Sequence, residues 1–115
     1  MQYALVVYED ETIYGPNKEG PVFQECFAKH RAFSAELGSA RVGGAGLKST
    51  ATATTVRATG AARTVHDGPF AETKEQLGGF YLIDVPDLDA AIAIAKRVPL
   101  PEGGAVEIRP LLGGP

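Results

Sequence analysis

Asp67-Gly68-Pro69-Phe70-Ala71-Glu72-Thr73-Lys74-Glu75-Gln76-Leu77-Gly78-Gly79-Phe80-Tyr81 passes from tight-turn chemistry through a charged segment into a double glycine and an apolar strand. Aspartate accepts its own downstream N–H groups, glycine takes positive φ and proline fixes the next φ, so Asp67-Gly68-Pro69 closes the strand before it. Phe70 then offers a plug for the core. Beyond the glycines, Gly79-Phe80-Tyr81-Leu82-Ile83-Asp84-Val85 reads as a strand.

Upstream of this run, Thr52 to Thr59 is β-branched and alternating. Gly60-Ala61 turns it into Ala62-Arg63-Thr64-Val65-His66, a hairpin pattern that Asp67 ends. Downstream, Asp87 caps a helix expected to run to about residue 98, with Leu88, Ala91, Ile92 and Ala95 as its apolar stripe. Asp89 sits in its first turn and Lys96 and Arg97 in its last, and Pro99 and Pro101 stop it. Ala105-Val106-Glu107-Ile108-Arg109 alternates as a final strand, and a Gly/Pro tail follows. At the other end, Tyr3 to Tyr8 is an almost unbroken apolar run, the pattern of a strand covered on both faces, and Asp10 and Glu11 end it. From 22 to 37 the spacing becomes helical, placing Phe23, Cys26, Phe27, His30, Phe33 and Leu37 on one face with Gly38 as C-cap. Val42 to Leu47 reads as a glycine-softened strand or bulge, and it lacks the spacing of a phosphate loop.

Strand, helix, strand or hairpin, strand, helix, strand is βαββαβ with a decorated middle. That order is the split βαβ, ferredoxin-like arrangement of the α+β class, with both helices on one face of an antiparallel sheet. The other sheet face is left open, and a second copy of the chain is the expected cover, giving a homodimer with a barrel-like core.

Composition bounds the function. At 115 residues the chain is expected to be one domain over 1–115. Its net charge is −3 and its 11 Lys and Arg form no run, which weighs against direct nucleic-acid binding. One cysteine, Cys26, fits a reducing cytoplasm, and the apolar start is too short for a signal or a membrane span. No CxxC, HExxH, calcium-loop or dinucleotide motif occurs, so no metal or cofactor is expected.

His30 sits inside an apolar stripe, where an imidazole is either a proton carrier or a boundary residue bonded to a backbone carbonyl. Asp10 either orients and charges it or only ends a strand. Glu72, Thr73 and Lys74 line a pocket mouth or stabilise a loop, and His66 reads as an exposed hairpin residue. Cys26 reads as a buried, inert thiol. Glu107 and Arg109 face away from Val106 and Ile108, toward a dimer interior or solvent.

Taken together, the Asp67–Tyr81 run, the opening strand, His30 ahead of Ala32-Phe33, Ala53-Thr54-Thr55-Val56-Arg57, Leu82-Ile83-Asp84-Val85 and Val106-Glu107-Ile108-Arg109-Pro110 resemble the YciI-like (YCII-related) family, in its DGPF branch. The resemblance implies a dimeric α+β barrel and a His–Asp pair, here His30 and Asp10. It implies cofactor-free proton transfer on a small organic molecule or, alternatively, a ligand-sensing module linked to an extracytoplasmic-function sigma factor. Tyr8, Asp67, Phe70, Thr73, Lys74 and Arg109 are the expected ligand contacts.

Overall fold

The computed structural model describes residues 1–113, so the end of the Gly/Pro tail, 114–115, lies outside it. The first strand, β1 (Gln2–Glu9), buries Tyr3, Leu5, Val7 and Glu9 on one face and leaves Ala4, Val6 and Tyr8 half-buried on the other. Helix α1 (Pro21–Leu37) follows, then β2 (Arg41–Gly46) and a hairpin of β3 (Thr54–Thr59) and β4 (Ala62–Asp67). Strand β5 (Gln76–Asp84), helix α2 (Leu88–Ala95) and strand β6 (Ala105–Pro110) complete the order. The main sheet runs β2-β5-β1-β6 with every neighbouring pair antiparallel, while β3 and β4 pair only with each other. Strand β5 therefore lies between β1 and β2, which is the split arrangement.

Both helices pack on the Tyr3, Leu5, Val7 face. Phe33 and Leu37 from α1 and Ala91 from α2 join Tyr81, Ile83, Val85 and Val98 in one core. Leu5 and Ile83 are fully buried, and each contributes about 1.5–3 kcal/mol of apolar burial. The opposite face, carrying Ala4, Val6, Tyr8, Phe80 and Leu82, has no helix on it. No helix among the described residues is long and apolar enough to cross a membrane.

Two elements differ from the expectation. Helix α2 stops at Ala95, because Val98 precedes Pro99 and is steered away from helical backbone. The chain instead tightens, with Arg97 and Val98 donating to the carbonyls of Ile94 and Ala95. Arg97 then leaves the helix to bond Glu36 Oε2 at 2.9 Å. The second difference is Phe70, which is 70% exposed and plugs nothing. Gly68 N–H bonds Ala53 O at 2.8 Å and Thr55 Oγ1 bonds Gly68 O at 2.7 Å. These bonds tie the turn to the base of a hairpin that projects from the core. The Phe70 ring consequently lies outside, with the Arg57 guanidinium 4.8 Å from its centroid.

Candidate functional site

A cavity of about 580 Å³ opens between α1 and the helix-covered face of the sheet. Strand parity supplies Val7 and Glu9 from β1 and Tyr81 from β5, while helical spacing supplies Phe23, Cys26, Phe27, His30 and Ser34 from α1. The segment after β1 adds Tyr14 and Lys18, and β2 with its exit adds Arg41, Leu47 and Lys48.

His30 Nδ1 and Tyr81 Oη are 2.6 Å apart. Burial lowers the His30 pKa below its usual value, against the opposing pull of Glu9 and of the Pro99 carbonyl, so the ring is neutral at pH 7. Burial raises Tyr81, with Ser34 and Arg41 acting the other way, so the phenol keeps its proton. The Pro99 carbonyl beside the ring can only accept, so it takes the imidazole N–H and leaves Nδ1 to accept from the Tyr81 hydroxyl. The rings also stack, with centroids 5.9 Å apart.

Glu9 is 7% exposed, and its Oε2 has no hydrogen-bond partner among the described residues. Its seat depends on Gly78, which the β1–β5 pairing skips at the irregularity between Val7 and Tyr8. A Cβ on Gly78 would come within 2.7 Å of Glu9 Cδ and 3.0 Å of its Cγ, and closer still to Oε1. Gly79 serves packing instead, since a Cβ there would meet Ala45 O at 2.9 Å. The double glycine thus has two purposes, and the first is to admit a carboxylate. Beside Glu9, the Tyr14 hydroxyl donates to Cys26 Sγ at 3.4 Å. Burial, the Cys26 contact and the Glu9 carboxylate all push the Tyr14 phenol well up.

Asp10 lies elsewhere. It caps a single 3₁₀ turn by accepting from Thr12 N at 3.1 Å and from Thr12 Oγ1 at 2.6 Å. Those bonds, with a smaller pull from Lys74, hold its carboxyl below the usual range. Asp10, Thr73 and Lys74 line a second depression of about 560 Å³, which His30 does not line. No hydrogen bond or ion pair joins Asp10 to His30 among the described residues, so the expected pair is not formed; the carboxylate acting on the imidazole is Glu9. Thr73 Oγ1 is engaged with Glu75 O at 2.6 Å. Of the other expected contacts, Tyr8 and Arg109 are on the uncovered sheet face, Arg109 3.6 Å from Glu107. Asp67 and Phe70 are exposed at the hairpin base. Four of the six therefore line neither depression.

The residues that sequence reading passed over are Glu9, Tyr14, Lys18, Arg41 and Tyr81. One signal was available for Glu9: the alternation Tyr3, Leu5, Val7 continues to it and not to Asp10. Lys18 and Arg41 give no comparable signal, since Lys18 reaches the cavity only because the loop after β1 folds onto the exit of β2, at Leu47.

This fold and cavity define a split-βαβ α+β protein with a solvent-open, mixed polar and apolar pocket. The chain belongs to the YCII-related family, whose domain matches residues 1–113. It is similar to an uncharacterized protein of Rhizobium meliloti (strain 1021), at 38% identity over 118 residues that cover 96% of this chain and 92% of that one.

Proposed function

We propose that the protein binds a small organic molecule in the His30–Tyr81 cavity and moves a proton on it without a cofactor. The observation that carries this reading is the 2.6 Å His30–Tyr81 contact on the wall of a cavity large enough for such a molecule. A neutral imidazole is already a base at pH 7, and the phenol bonded to it is an acid held ready. A proton leaving carbon beside a carbonyl passes to Tyr81 Oη as the phenol's own proton moves to His30 Nδ1, and the reverse movement returns a proton from Oη to the adjacent atom. Glu9 stabilises the imidazolium that forms, since its charge favours the protonated ring. Asp10 has no part in this scheme.

The functional unit in this reading is a homodimer. Ala4, Val6, Tyr8, Phe80 and Leu82 form a continuous apolar face that one chain leaves uncovered, and a second copy supplies a matching surface. The unpaired thiol of Cys26 suits a reducing compartment such as the cytoplasm.

Deuterium wash-in tests the chemistry. A panel of 2-oxo and 3-oxo acids is incubated with the protein in D2O, and loss of the C–H signal is followed by proton NMR. The expected result is exchange above the buffer rate for at least one member, lowered about 10²–10⁴-fold in His30→Gln and in Tyr81→Phe. Exchange that survives both substitutions refutes the pair as the proton carrier. Binding without exchange would mark a ligand-sensing module that uses the same cavity.

A further inference from the structure

The charge around the cavity runs against the charge of the chain. Lys18, Arg31, Arg41 and Lys48 line it against one carboxylate, Glu9, in a protein whose net charge is −3. None of these four cations makes an ion pair among the described residues, so their charge is not neutralised within the chain. A cleft lined by one sign of charge concentrates ligands of the other.

The two inner cations are also left incomplete. Lys18 is 6% exposed, and its ammonium, which carries three donors, bonds one acceptor among the described residues, the Leu47 carbonyl at 3.2 Å, and lies 5.9 Å from the Tyr14 ring centroid. Arg41 gives Nη2 to Gly44 O at 3.1 Å, while its Nε is buried and has no partner among the described residues. Burying a cation without matching its donors is costly, and an anion bonded to the remaining N–H groups of the Lys18 ammonium and the Arg41 guanidinium lowers that cost. On the same wall, Glu9 contributes the cavity's single carboxylate. Phe23 and Phe27, stacked 5.8 Å apart, add an aromatic wall.

From these unmatched groups we infer the ligand class: a small organic carboxylate with an apolar or aromatic body and a hydroxyl group. The carboxylate is taken by Lys18 and Arg41, Arg31 and Lys48 draw it in from the rim, and the hydroxyl donates to Glu9. This inference rests on the cavity being the small-molecule site proposed above, and it adds which molecules fit.

Four probes of similar size separate the two ideas: benzoate, mandelate, benzyl alcohol and benzylammonium. Each is titrated into the full chain, with binding followed by amide chemical shifts at Lys18, His30 and Tyr81. Benzoate is expected to bind, mandelate about tenfold more tightly, and the neutral and cationic probes at least tenfold more weakly than benzoate. Arg41→Gln lowers benzoate affinity about tenfold or more and leaves benzyl alcohol unchanged. Lys48→Gln, at an exposed position that cannot unfold the core, weakens benzoate about two- to threefold at low salt and less at high salt. Glu9→Met abolishes the preference for mandelate over benzoate. Benzyl alcohol or benzylammonium binding as tightly as benzoate overturns the anion inference and leaves the cavity reading standing. Absence of shifts around the cavity with all four probes overturns both.

Discussion

Gly78→Ala adds a single methyl, and the structure states where it must go. The new Cβ falls within 2.7 Å of Glu9 Cδ and 3.0 Å of Glu9 Cγ, and real Cβ atoms do not approach heavy atoms closer than 3.0 Å. Glu9 is 7% exposed, and relieving the clash moves its carboxylate off the Gly78 seat toward the cavity it lines. Overpacking of this kind costs about 1–3 kcal/mol. The gain from a less flexible unfolded chain, about 0.4–1 kcal/mol for Gly to Ala, offsets part of it. A net loss of about 1–2 kcal/mol follows, or a fall in Tm of roughly 4–8 °C. The assay is a double-mutant cycle with Glu9→Ala, by urea unfolding at one fixed protein concentration because any dimer makes stability depend on it. With the glutamate truncated, the alanine at 78 meets no carboxylate and its cost should disappear. The expected coupling is about 1–2 kcal/mol, well above the roughly 0.3–0.5 kcal/mol scatter of independent sites. A Gly78→Ala cost that is the same in both backgrounds would falsify the claim that this glycine exists to seat Glu9.

Two further outcomes are expected. Because burial lowers the His30 pKa in the folded chain, the unfolded state binds its proton first as pH falls. The stability contributed by the neutral ring is complete above the unfolded pKa of about 6.5 and declines as pH drops from there toward the lower folded value. Urea midpoints between pH 7.5 and 5 should therefore fall, and His30→Gln should flatten that decline; an unchanged slope in the variant would exclude His30 as its source. On the open sheet face, Val6 lies opposite Glu107, so a lysine at 6 finds a carboxylate in the isolated chain but breaks an apolar interface. Light scattering should give twice the chain mass of 12.1 kDa for the wild type and 12.1 kDa for Val6→Lys; a monomeric wild type disproves the dimer.

Elements whose signals are local were legible in the sequence. The stripe from Phe23 to Leu37 became α1, Asp87 caps α2 by accepting from Ala90 N at 2.9 Å, and Gly60-Ala61 turns the hairpin. What local signals cannot report is where a segment points once it leaves the sheet. Asp67-Gly68-Pro69 ends β4 as its residues dictate, yet Phe70 lies in solvent because the hairpin it closes projects away from the core. Lys18 and Arg41 come to line one cavity only through tertiary folding.

The misplaced carboxylate has a stricter cause. Side chains along a strand change face at every residue, so Glu9 and Asp10 cannot both serve the helix side of β1. Tyr3, Leu5 and Val7 fix which parity is buried, and Glu9 shares it. Asp10, one residue further, is already outside the strand and committed to the Thr12 backbone and hydroxyl. Gly78 then decides the matter from the partner strand, since a side chain there would close the space that Glu9 occupies. The buried carboxylate was therefore specified by two features of the sequence that are 69 positions apart (9 and 78) and adjacent only through the β1–β5 pairing. A register slip of one residue would exchange Glu9 for Tyr8 on the cavity wall, removing the charge that acts on His30.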